Sequence, residues 1–177
     1  MKKILLVGIA LTSSLVACGA DQNSASQVAQ QVALQRSADT LAIGQIEVTW
    51  HKAASTKDVN LMMTIWADTA TFTVGTVTYT GKDQIRNFFA TKAAPFKPEN
   101  NWISETPAYK TRVTVNGDSG TLYFECHYVD VVTRTVKAVV GADVTVARIK
   151  GQWLMTNSVS ATPVLSAAAA STSSSAW

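Results

Sequence analysis

From residue 102 to residue 159 the chain reads as strand after strand, and no other feature narrows its fold so far. Residues 103–115 and 121–132 are rich in β-branched and aromatic side chains. They flank Asn116-Gly117-Asp118-Ser119-Gly120, a strong turn signal. A polar break at Thr133-Arg134-Thr135 leads to a third strand, 136–150, and Gly151-Gln152 turns into a fourth, 153–159. Long strands joined by short turns pair as an antiparallel meander. A sheet of that kind has an apolar face to bury, and helices must cover it.

The preceding half supplies those helices. Asp39 and Thr40 can cap a helix on which Ile43, Ile46, Trp50 and Ala53/Ala54 recur at spacings of three and four. Ser55-Thr56-Lys57-Asp58 breaks it, and Asp58 can cap a second helix with Leu61, Met62, Ile65 and Trp66 as its apolar side. The stretch TATFTVGTVTYTG, 69–81, then has the composition of two strands around a turn. Thr80-Gly81-Lys82-Asp83 has the form of a capping box, opening a third short helix that carries Ile85, Phe88 and Phe89 and ends before Pro95. Segregated helices and strands predict an α+β fold: three N-terminal helices packed on a curved, mainly antiparallel sheet, a cone-shaped α+β barrel enclosing a pocket.

The chain begins with an export-like layout. Lys2 and Lys3 are followed by an apolar run from Ile4 to Leu11, then by small residues ending in Leu15-Val16-Ala17-Cys18. The run is shorter than the ~20 residues that span a bilayer. Leu-Val-Ala-Cys resembles the bacterial lipobox, in which cleavage precedes a cysteine that takes a diacylglycerol. The expected organisation is a signal peptide over 1–17, lipid attachment at Cys18, a flexible tether over 18–37, a folded domain over 38–163 and a disordered low-complexity tail over 164–177. Gly19 after the cysteine favours an outer-membrane anchor facing the periplasm. Without Lys2 and Lys3 the fifteen basic residues fall by two against twelve acidic ones, so a net charge of +3 becomes +1. No basic cluster calls for nucleic acid. With Cys18 lipidated, Cys126 has no disulfide partner.

Several segments together resemble one family. Trp50, Ala54, Asp58 and Leu61, then IWADTATF (65–72), GKDQIRNFF (81–89), VTVNGDSG (113–120) and ARIKGQW (147–153), follow the order and spacing of SnoaL-like domains of the nuclear-transport-factor-2-like superfamily. The resemblance covers about 41–159. It implies a conical pocket that serves isomerases, dehydratases, cyclases, hydrolases and non-catalytic binding modules alike. A fold shared so widely does not name an activity.

Strand alternation sorts the polar candidates. Leu122, Phe124, Cys126 and Tyr128 form the more apolar face of residues 121–130 and are expected to line the pocket. Tyr123, Glu125, His127 and Val129 form the other face, which in this superfamily often meets a second subunit and leaves a homodimer open. Glu125 and His127, two residues apart, also have the spacing of an acid–base pair, but the face division turns them outward. Asp143 and Tyr128 are the catalytic candidates. The family often carries a functional Asp in the region of Asp143, although the register places Val144 at the inward position. His51 falls about 100° from the apolar line of its helix and is expected in solvent. Trp50, Trp66, Phe72, Phe88, Phe89, Trp102 and Tyr128 are the candidate ligand-binding residues. The chain has no P-loop, dinucleotide fingerprint, paired-cysteine metal site or nucleophile elbow, so neither cofactor nor metal is expected. The expected function is a lipid-anchored exported protein binding a small hydrophobic or aromatic molecule. The alternatives are a cofactor-free isomerase, dehydratase or hydrolase working by general acid–base catalysis, and a dimeric scaffold.

Overall fold

The computed structural model describes the backbone of residues 19–104, 110–160 and 165–166, and the side chains of 24–104 and 110–160. The expected signal peptide, Cys18 and most of the expected C-terminal tail lie outside the described residues. The chain divides into two compact units, Met1–Gln35 and Arg36–Trp177.

The described part of the first unit is helix. Helix α1 spans Gly19–Thr56, so residues 19–37, expected as a tether, are helical instead. Ala and Gln favour helix, and no Gly or Pro interrupts 20–37. Asp39 therefore lies inside α1 and is not its cap. In the second unit, Ile43, Ile46, Trp50, Ala53 and Ala54 are buried as one face of α1. Asp58 then accepts from the Leu61 backbone N–H at 2.9 Å and caps α2, Val59–Met63. The helix stops short of Trp66, which opens strand β1, Trp66–Val74. Gly75, at φ 59°, turns β1 into β2, Val77–Thr80. Helix α3, Lys82–Thr91, starts from Gly81 with no side-chain cap. The capping box expected at Thr80–Asp83 is not made. The Gln84 side chain instead accepts from the Thr80 backbone N–H at 3.0 Å.

The expected strand 103–115 is divided into β3, Trp102–Ser104, and β4, Thr111–Asn116. Both pair antiparallel with the long β5, Ser119–Asp130: β4 along its first half and β3 along its last residues. Strands β6, Thr135–Ile149, and β7, Gln152–Ser160, complete the meander. Lys150 and Gly151, at φ 51° and 83°, form the tight turn between them. The sheet runs β2-β1-β7-β6-β5-β3 and remains open, with β1 parallel to β7 and the other pairs among the described residues antiparallel. Register shifts at Tyr128/Val129 and Thr145/Val146 mark bulges that bend it. Of the expected tail, Leu165–Ser166 forms a short strand β8 on β6.

Two devices seat α1 on the sheet. A Cβ at Gly120 would collide with the Thr114 carbonyl oxygen and press on Ile43 and Val146, so only glycine lets the helix approach. Arg148 bonds Asp39 at 2.6 Å and Asp118 at 2.9 Å while lying over the Trp153 ring at 4.8 Å. The Trp153 indole N–H also reaches Asp39, at 3.3 Å.

Candidate functional site

Residue alternation along β5 turns Leu122, Phe124, Cys126 and Tyr128 toward α1, and all four are buried. Trp50 stands over them. Its ring lies 5.4 Å from Phe89, 5.6 Å from Phe124, 6.0 Å from Trp66 and 6.2 Å from Phe72. Its indole N–H donates to the Tyr128 hydroxyl at 3.2 Å. Phe88 packs on Phe72 at 5.3 Å, and Trp102 on Tyr128 at 6.5 Å. All seven candidate ligand-binding residues thus join one aromatic wall. Phe88 and Trp102 are its half-buried members, where the wall comes nearest the surface.

A second set of buried polar groups crosses this wall, and the sequence reading placed only some of them. His51 is fully buried rather than solvated, and its Nδ1 lies 3.2 Å from the Ser104 hydroxyl. Glu47, one turn earlier on α1, is also buried. Ser55 holds β3 against the helix, accepting from the Ser104 backbone N–H at 2.8 Å and donating to its carbonyl at 3.1 Å. Cys126 touches Tyr128, Ser104 and Trp50. Burial pushes its thiol up to about 12, and the Glu47 charge adds to that rise. Burial also raises the Tyr128 phenol well above its ordinary value, with Cys126 contributing. Both groups are therefore protonated at neutral pH and serve as donors, not as nucleophile or base. The missed residues had a signal: Ile43, Glu47, His51 and Ala54 follow spacings of four, four and three, a second helical line beside the apolar one.

Two further polar atoms on the inner wall are fully buried and have no hydrogen-bond partner: the Trp66 indole N–H and the Ser158 hydroxyl.

The other face of β5 carries a separate network. The Tyr123 hydroxyl donates to Glu125 Oε1 at 2.9 Å, Lys110 Nζ lies 3.4 Å from the same oxygen, and His127 Nε2 lies 3.5 Å from Oε2. Burial alone would raise the Glu125 carboxyl, but hydrogen bonds from Tyr123, His127 and Lys110 outweigh it and hold the group below its ordinary value. The Arg112 guanidinium covers the Tyr123 ring at 4.2 Å. Val129 pairs with Ile103 and Val136 beyond this network. Asp143 is exposed here, opposite Tyr123 in the register, beside a cleft of ≈ 360 Å³ that Arg112, Thr114, Thr121 and Asn157 also line. Asp143 and Tyr128, weighed together as catalytic candidates, stand on opposite faces and cannot act on one atom. Val144, buried at the next position, holds the inward place.

Among the described residues no group of three or more His, Cys, Asp or Glu side chains could hold a metal ion, and no helix is long and apolar enough to cross a membrane.

Residues 35–159 match the family model of the SnoaL-like domain. A nuclear-transport-factor-2-like protein with a cystatin-like fold from Novosphingobium aromaticivorans superposes with a TM-score of 0.64 at 18% identity, over 82% of this chain and 94% of that one. One of unknown function from Pseudomonas putida gives 0.62 at 16% identity, over 72% and 88%. A hexachlorocyclohexane dehydrochlorinase from Novosphingobium barchaimii gives 0.60 at 18% identity, over 74% and 93%. These superpositions show a shared fold. No curated protein matches the chain in sequence.

Proposed function

The chain belongs to the SnoaL-like domain family, and from that premise we propose that it is an exported, lipid-anchored member that binds a small hydrophobic or aromatic molecule between α1 and the inner face of the sheet. The observation that carries the binding reading is the aromatic wall around Trp50, with the hydroxyl of Tyr128 as a polar group set into it. Ligand sites have this composition: mostly apolar lining with a few convergent polar atoms. Phe88 and Trp102 at its half-buried margin provide the entry. The proposed anchor rests on Leu15-Val16-Ala17-Cys18 behind a basic and apolar leader, since two acyl chains hold a protein stably at a bilayer. Tryptophan fluorescence titrated with tetralin, a bicyclic hydrocarbon, tests the pocket. Saturable quenching that Trp50→Ala abolishes is expected. Quenching that never saturates in the unaltered protein would count against a site.

A cofactor-free acid–base enzyme is the second reading, and His51 favours it. A buried imidazole beside Ser104, one turn from a buried carboxylate, is a residue type suited to general acid–base work. The dehydrochlorinase of the same fold is named for a reaction that removes hydrogen chloride from its substrate. Exchange of deuterium into the carbon next to the carbonyl of 2-tetralone, followed by NMR, should be accelerated by the protein and return to the solvent rate in His51→Phe. Equal rates with and without protein would reject catalysis on such ketones. The outer face around Tyr123, Glu125, His127 and Val129 is proposed to meet a second copy. A sedimentation coefficient of a monomer at all concentrations would remove that contact.

A further inference from the structure

Where β5 turns into β6, the outer face of the sheet ends in an exposed apolar corner. The register sets Ile103, Val129 and Val136 side by side across β3, β5 and β6, and residues directly opposite on neighbouring strands share a face. Val131 and Val132 follow in the turn itself. Ile103 is 39% exposed, Val136 40%, Val131 50% and Val132 71%. A single exposed valine calls for no cause, but a contiguous apolar patch marks a surface that meets something. The backbone of the turn is already bonded. Asp130 accepts from the Val132 and Thr133 backbone N–H groups at 3.0 and 2.9 Å, and the Val131 N–H donates to the Asn101 carbonyl at 3.0 Å. The corner is thus a fixed platform whose apolar side chains lack cover.

Strand β8 shows which part of the chain is directed at it. Ser166 pairs with Ala138 and Leu165 with Val139, antiparallel. In that register each further residue advances toward the start of β6, and the third after Ser166 draws level with Thr135 at the turn. The eleven residues 167–177 lie outside the described residues, and their sequence is AAAASTSSSAW. They contain no charged side chain, so laying them on an apolar surface strips no ion of its water. Trp177 is their one large apolar residue. Extended, such a segment reaches about 36 Å. The turn is roughly 10 Å beyond Ser166, and Ile103 lies two strand spacings, about 10 Å, across the sheet from Val136. The length covers the whole corner with slack to fold back.

We propose that the segment after Ser166 docks on this corner of its own chain, with Trp177 seated among Ile103, Val131, Val132 and Val136. An indole is amphipathic and suits an apolar site at the rim of solvent. Arg134, held at φ 54° in the same turn, supplies a guanidinium of the kind that pairs with an aromatic face. The segment is joined to the surface it covers, so its local concentration there is high and weak contacts suffice. Val129 belongs to the face proposed to meet a second copy. The docked segment therefore occupies one end of that contact and opposes it. This consequence rests on the second-copy reading, whereas the docking does not.

Methyl NMR of the full chain tests the docking. Trp177→Ala should move the methyl signals of Ile103, Val131, Val132 and Val136, because a seated indole shifts nearby methyl groups through its ring current. Those of Ile43 and Val146 in the core should stay in place. In the unaltered protein the four sets of signals should not depend on concentration. Unmoved signals at all four residues in Trp177→Ala would overturn the docking. So would shifts that grow with protein concentration, which would give the corner to a second copy. Sedimentation of the full chain beside a variant lacking residues 167–177 tests the consequence. The shortened variant should self-associate at severalfold lower concentration. Equal association of the two would overturn the competition and leave the docking standing. Monomers in both would remove the second-copy reading and the competition with it.

Discussion

Tyr128→Phe removes a hydrogen bond that ties the helix to the middle of the aromatic wall. The substitution removes a single oxygen and leaves the ring in place. The Trp50 N–H, which donates to that oxygen at 3.2 Å, is then buried with only the Cys126 sulfur, a weak acceptor, beside it. The cost of orphaning a buried donor is about 1–3 kcal/mol. Taking about 2 kcal/mol, and the roughly 2–4 °C per kcal/mol expected for a domain of this size, melting should fall by about 4–8 °C. In urea the midpoint should fall by about 1 M with an unchanged slope of about 2 kcal/mol/M. Ser158→Ala serves as the internal control. It too removes one buried oxygen, but an unpartnered one, so its effect should be near zero or favourable. Calorimetry of the two variants side by side decides the matter. If Tyr128→Phe is no more destabilising than Ser158→Ala, the account of the inner wall as one paired and two unpaired sets of polar atoms is wrong.

Asp39→Ala should destabilise the domain by about 1–3 kcal/mol, because it deprives the buried Trp153 N–H of its acceptor and leaves Arg148 with Asp118 alone; an unchanged urea midpoint would contradict that role. Gly120→Ala should be poorly folded, with near-ultraviolet dichroism showing loss of fixed aromatic packing, since its methyl group meets backbone at Thr114. The folded Glu125 carboxyl lies below its unfolded value, so its contribution is present above the unfolded carboxylate range and is lost as pH falls through the folded value. Glu125→Gln should therefore flatten the acid side of the stability–pH curve, and parallel curves for the two proteins would refute this. Cys18→Ser should abolish incorporation of labelled fatty acid and release the protein from membranes; persistent labelling would exclude Cys18 as the anchor.

The order of elements was legible because it depends on local periods. The spacing of three and four in α1, the alternation through Leu122, Phe124, Cys126 and Tyr128, and the turn at Gly117 are properties of neighbouring residues, and each appears in the structure where the sequence reading expected it. The inward place of Val144 against Asp143 followed from the same alternation. The helix over 19–37 was the less favoured of two readings, because Gln and Ala are polar or small yet still form helix, and composition does not separate a tether from a helical extension. Asp39 and His51 were misread for a different reason. A helical wheel states angles between residues, but not how much of the helix its neighbours cover. The sheet bends around α1 at its bulges, so a second line of residues, Glu47 and His51, is enclosed beside the apolar one. The partner of Asp39, Arg148, comes from β6, and the partner of His51 comes from β3. No local pattern carries such pairings. They arise only when distant strands close over the helix, because burial and hydrogen bonding depend on whatever covers a side chain as much as on the side chain itself.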